Sequence, residues 1–168
     1  MAASATYEPI ATQTLASAAA SITFSSIAAS WTDLRLVLGN LVVASGTPSL
    51  QLQFNGDTAA NYSNTYLAGD GATAISGRGT SQAAINSSFA LNATTPIAIF
   101  VDVFSYAGST NKTVLINEAG DKNGSGYTTA RVGLWRNTAA ITSITILNST
   151  AVNYNIGTTA TLYGIKAA

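Results

Sequence analysis

Seven acidic and seven basic side chains carry nearly all the ionisable chemistry of this 168-residue chain, because it contains neither histidine nor cysteine. The commonest general base, the commonest metal ligand and any thiolate nucleophile are therefore absent. A serine or threonine nucleophile would need a lysine as its activating base. Lys112, Lys122 and Lys166 are the lysines, and the pattern places them in turns or at the chain end. Asp57, Asp70, Asp102, Glu118 and Asp121 could supply the two carboxylates of a glycoside hydrolase. Asp102 stands out because it interrupts the apolar run Ile97 to Phe104. Its expected role is to pair with an arginine such as Arg131 or Arg136 on a solvated or subunit-facing side, since no second acid is placed beside it. No residue is assigned a catalytic, cofactor-binding or metal-binding role, and the chain is expected not to be an enzyme.

Two other patterns invite a ligand. Asp121-Lys122-Asn123-Gly124-Ser125-Gly126 begins like a calcium loop, with oxygen donors at alternate positions and glycine at the sixth. Its twelfth position is Val132, where such a loop needs a bidentate glutamate, so a hairpin turn on Asn123-Gly124 is expected instead. Among the aromatic residues, Trp135 follows Val132 and Leu134 and is read as core or interface. Tyr62 and Tyr66, flanked by Asn61 and Asn64, are the candidates for a glycan or partner surface.

Short strands must position all of these. Leu50, Leu52 and Phe54 alternate with Gln51 and Gln53, and Leu34, Leu36 and Leu38 alternate with Arg35 and Val37. Ile97 to Phe104 is apolar on both faces, as in a central strand or one covered by another subunit. Similar runs lie at Ile10 to Leu15, Ile22 to Phe24, Tyr62 to Leu67, Thr113 to Ile116, Thr129 to Trp135, Ile141 to Leu147 and Thr161 to Ile165. About eight to ten short strands with glycine-rich turns predict an all-β, antiparallel, jelly-roll-like β-sandwich. It is expected to form a single domain over residues 1–168, with residues 1–8 as an N-terminal arm.

Only 8% of the residues are charged while 47% are hydrophobic, and the formal net charge is zero. Ordinary domains carry about 25% charged residues. Serine, threonine, asparagine and glycine take their place, a surface suited to being covered, because long charged side chains oppose association. With no basic cluster, neither nucleic acid nor an anionic membrane is an expected partner. No run reaches the ~20 apolar residues of a membrane span. Residues 1–7 lack a secretory signal, so a soluble protein without its own export address is expected. Few charges and three prolines guard the sheet edges, which would fit edges buried in a homo-oligomer.

The segments Tyr7 to Thr12, Ser21 to Ile27, Thr32 to Val37, Gln53 to Asp57, Asn61 to Ser63, Tyr106 to Ser109, Gly133 to Arg136, Ile141 to Thr145 and Gly157 to Lys166 carry a resemblance. Together they are similar to small virion proteins of tailed phages of cyanobacteria and other aquatic bacteria. The short chain, without a repetitive shaft, most resembles the capsid decoration, or cement, proteins of that group. The resemblance implies a jelly-roll sandwich, a homotrimer, seated on the major capsid protein at the virion surface after synthesis in the host cytoplasm. The alternative it implies is a tail fibre or appendage module that recognises a host glycan. It carries no binding residue over.

Overall fold

A computed structural model describes residues 6–166, apart from the side chains of Ser88 and Phe89. Every regular element among them is a strand. In chain order these are β1 (Tyr7–Thr14), β2 (Ile22–Phe24), β3 (Asp33–Leu41), β4 (Ser49–Phe54), β5 (Tyr62–Gly69) and β6 (Ala74–Gln82), followed by β7 (Ile85–Ala90), β8 (Ile97–Phe104), β9 (Lys112–Asp121), β10 (Gly126–Trp135), β11 (Ile144–Asn148) and β12 (Thr159–Ile165). They form an eight-stranded sheet, β1-β12-β3-β8-β9-β10-β5-β6, and a four-stranded sheet, β2-β11-β4-β7, with every pairing antiparallel. The protein is an all-β sandwich. The chain passes between the sheets from β1 to β2, β2 to β3, β3 to β4, β4 to β5, β6 to β7, β7 to β8, β10 to β11 and β11 to β12, an order compatible with a widened jelly roll.

The core lies between the sheets, where alternation delivers one face of each strand. Leu34, Leu36 and Leu38 of β3, Ile99 and Val101 of β8 and Ile116 of β9 meet Leu50, Leu52 and Phe54 of β4 and Ile144 and Ile146 of β11. Two glycines permit close approach. A Cβ on Gly133 would lie 2.8 Å from Ile85, so β7 packs tightly over β10, and a Cβ on Gly164 would collide with the Trp31 ring.

Three expectations need correction. Tyr7 and Glu8 are not an arm: they pair with Ile165 and Gly164 in the sheet, while residues 1–5 lie outside the described residues. β6 and β7 join the expected strands, the first rich in glycine and serine and the second polar. Lys112 is not in a turn but opens β9, fully buried.

Candidate functional site

Contacts within the large sheet occupy most of the residues whose types could do chemistry. Asp102 projects from β8 directly opposite Arg35 of β3 and accepts two hydrogen bonds from its guanidinium, Nε to Oδ1 at 2.5 Å and Nη2 to Oδ2 at 2.7 Å. The partner is thus Arg35, not Arg131 or Arg136. This bidentate bond raises the Arg35 pKa further, and the guanidinium also lies over the Tyr7 ring, 5.6 Å from its centroid. Arg136 reaches the Ala60 carbonyl instead.

Arg131 belongs to a buried polar cluster on the inner face with Asn64, Glu118 and Thr129. Its guanidinium donates to Asn64 Oδ1 and lies 4.6 Å from the centroid of the Tyr66 ring. Burial lowers the Arg131 pKa, and the Glu118 carboxylate opposes that shift. Tyr66 therefore serves as a lid on an internal cation rather than as an open sugar platform. Lys112 donates to the carbonyls of Gly108 (2.6 Å), Thr110 and Thr138 (3.3 Å), and its burial lowers its pKa. It ties the β8–β9 connection to the β10–β11 connection.

Tyr62 is also not a surface residue. It is 0% exposed, stacks on Trp135 at 6.3 Å between centroids, accepts from the Phe54 amide at 3.0 Å and donates to the Asp57 carbonyl at 3.0 Å. Burial pushes its phenol up to about 12. Trp135 is core, and its Nε1 donates to Asp57 Oδ2 at 2.7 Å. That bond and one from Asn61 hold the Asp57 carboxyl below the usual carboxylate range.

The Asp121 to Gly126 loop is a hairpin turn. Asn123 and Gly124 have φ of 56° and 102°, both positive as a type I′ turn requires, and Asp121 Oδ1 accepts from the Asn123 amide at 2.6 Å. Beside it lies a crevice of about 890 Å³ toward the β5–β6 turn, lined by Asp70, Asp121, Ser125, Tyr127 and Thr128. Tyr127 is among the exposed large hydrophobic residues. No group of three or more metal-ligating side chains occurs among the described residues.

The outer face of the large sheet is the feature that the single-strand patterns did not display. The residues alternate to those of the core on five adjacent strands put Val37, Phe100, Phe104, Leu115, Val132 and Leu67 on one side. Phe100 and Phe104 are 43% and 42% exposed, Val132 46% and Leu67 60%. Leu115 faces Val132 across β9 and β10, and Val37 faces Phe100 across β3 and β8. Among the described residues no second layer covers them, because the four-stranded sheet packs on the opposite, inner face. An apolar face shared by neighbouring strands, with its one ion pair internally satisfied, is the geometry of a contact surface.

These features define an antiparallel β-sandwich with one sealed and one open face on its larger sheet. Comparisons with protein-family models, curated proteins and solved structures return no match.

Proposed function

We propose that the protein is a virion structural protein, a capsid decoration subunit that stabilises a phage head by binding the major capsid protein. The open apolar face of the eight-stranded sheet carries this reading. It presents exposed aromatic and aliphatic side chains, which supply contact energy, on a chain with few charges to oppose association. The resemblance of its sequence segments to phage decoration proteins supplies the partner, the place on the capsid surface and the homotrimer. Its work is contact rather than reaction, and Asp102, the most conspicuous carboxylate of the sequence, is engaged on both oxygens by Arg35.

The test is to purify particles with and without the protein. Complete particles should contain it by mass spectrometry, and particles made without it should assemble but release DNA at a lower temperature. Its absence from complete particles would refute the proposal.

The crevice beside Tyr127 favours one second reading, an appendage module holding a host glycan. Exposed tyrosine next to two aspartates suits the apolar face and hydroxyls of a sugar. Glycan arrays read it out: binding that Tyr127→Ala abolishes supports it, and no binding at high micromolar protein across host polysaccharides removes it.

A further inference from the structure

The sequence holds two Asn-Gly pairs, Asn55-Gly56 and Asn123-Gly124, and no other asparagine precedes a glycine. Their backbones match: φ is 52° and 67° along the first pair and 56° and 102° along the second. Both asparagines are exposed. A Cβ built on either glycine would meet nothing within 4 Å, so the glycine nitrogen is open to approach at both turns. Neither glycine amide donates a hydrogen bond among the described residues.

The two side chains are held differently. Asn55 is engaged at both ends of its carboxamide: Nδ2 donates to the Ala140 carbonyl at 2.8 Å, and Oδ1 accepts from the Thr142 and Ser143 amides at 2.8 and 3.1 Å. Its own amide donates to the Ser143 carbonyl at 3.1 Å. The Asn123 carboxamide makes no hydrogen bond among the described residues. Its turn is held through the backbone, by the Asn123 amide on Asp121 Oδ1 at 2.6 Å and by the Lys122 amide on the Ser125 carbonyl at 2.6 Å. The first turn is thus fastened to the segment before β11, and the second stands on its own hairpin.

We propose that Asn123 is a site of spontaneous deamidation, at which the folded protein acquires a carboxylate, and that the fold protects Asn55 from the same reaction. The Gly124 nitrogen, having given its proton to hydroxide, attacks Asn123 Cγ. The new N–Cγ bond closes a cyclic imide as the Cγ–Nδ2 bond breaks, and Nδ2 leaves as ammonia with a proton from water. Water then adds to one imide carbonyl and reopens the ring, leaving aspartate, or isoaspartate where the main chain now runs through Cβ. One water enters and one ammonia leaves, with no oxidant or reductant. At Asn55 the carboxamide must first give up its bonds to Ala140, Thr142 and Ser143 before it turns toward Gly56. Each such bond slows the reaction by at least about twofold, and the three together by at least about tenfold. The chain has a formal net charge of zero, so one conversion makes it an anion. The new charge arises next to Gly124, which lines the same crevice as Asp70 and Asp121, and it repels anionic ligands from there.

The full chain, held folded at mildly alkaline pH and sampled over days, tests the proposal. Trypsin separates the two sites, because Lys122 and Arg131 bound the peptide 123–131 while Arg35 and Arg78 bound the peptide 36–78. Mass spectrometry should show the amide-to-acid mass gain at Asn123 at least about tenfold faster than at Asn55. Isoelectric focusing should show a new band on the acidic side of the starting pI of about 6.0. In guanidinium chloride, which removes the fold, the two sites should convert at similar rates, as the shared dipeptide requires. Asn123→Gln, whose longer side chain closes the ring far more slowly, should keep the folded chain free of the acidic band. An Asn123 that stays intact in the fold while it converts in denaturant, a rate ratio in the fold below about tenfold, or an acidic band that persists in Asn123→Gln would each overturn the assignment.

Discussion

The inner and outer faces of the eight-stranded sheet are drawn from alternate residues of the same strands, yet they are filled differently. Inside, β3 presents Leu34, Leu36 and Leu38, and β8 presents Ile99, Val101 and Val103, all sealed by the smaller sheet. Outside, the same strands present Arg35, Val37, Phe100, Asp102 and Phe104, without a layer above them among the described residues. The inner face also holds cations away from water, with Lys112 received by carbonyls and Arg131 held by Asn64 and Tyr66. The difference teaches that apolar residues on the two faces serve different equilibria. Inner ones drive folding, and outer ones drive association.

Leu36→Ala is the largest blow to that contrast. Leu36 is fully buried beneath the small sheet, and its loss should cost about 2–5 kcal/mol, through transfer of the side chain and the cavity it leaves. Urea denaturation measures it. A loss below about 1 kcal/mol would show that the inner face is not the tightly packed one.

How far the sequence displayed this arrangement depends on the kind of signal. Alternation in Leu34 to Leu38 and Leu50 to Phe54 is local, and the structure places each set as the pattern requires. β6, interrupted by Gly77 and Gly79, and β7, with Asn86 and Ser87 at its middle, carry few of the β-branched and aromatic residues that mark strands, and pairing with their neighbours supplies what propensity does not. The Asp102 partner was hidden because Arg35 lies 67 residues away and meets it only through the β3–β8 register. Asparagine neighbours made Tyr62 look exposed, but its hydroxyl finds the Phe54 amide and the Asp57 carbonyl, which lets a polar aromatic enter the core. Lys112 is buried for the same kind of reason, since the carbonyls that receive it come from the connections before β9 and after β10. The open face needs five strands in order before it exists at all.

Tyr62→Phe tests the polar part of the inner face. At neutral pH it should cost about 1–3 kcal/mol, because the Phe54 amide loses its acceptor in a dry site. The Tyr62 hydroxyl titrates higher when folded, about 12 against an ordinary 10.0. Its stabilising preference for the neutral form is thus complete below about pH 10 and lost as the pH rises toward about 12. The stability gap between wild type and Tyr62→Phe should narrow across that window, read by urea melts at stepped pH. A constant gap would mean that the phenol ionises as easily in the fold as in the unfolded chain.

The outer ion pair should weigh less. Arg35 and Asp102 meet in ideal bidentate geometry, but the arginine side chain is 37% exposed, so solvent screens the pair. A double-mutant cycle with Arg35→Leu and Asp102→Leu should give a coupling of about 0.5–1 kcal/mol in the dissociated chain. A second copy laid over the pair would exclude water from it, and the coupling measured at concentrations where copies associate should be larger. Equal couplings in dilute and concentrated protein would separate the ion pair from the contact.

The smallest effect belongs to Leu67→Ala, which repeats the substitution made at Leu36 on the opposite face. Leu67 is 60% exposed and pairs with Ala130 and Ser76, so its removal opens no cavity in the fold. In dilute protein the change should be within about 0.5 kcal/mol, chiefly a strand-propensity cost. In concentrated protein, where the proposed homotrimer forms, the same change removes apolar area from the outer face, and the apparent stability should then fall with the dissociation of copies. Thermal melts at two concentrations of wild type and Leu67→Ala therefore read folding and association separately. A deficit equal to that of Leu36→Ala in dilute solution would place Leu67 in the folding core and erase the distinction between the faces, whereas a deficit that grows with concentration would assign it to association.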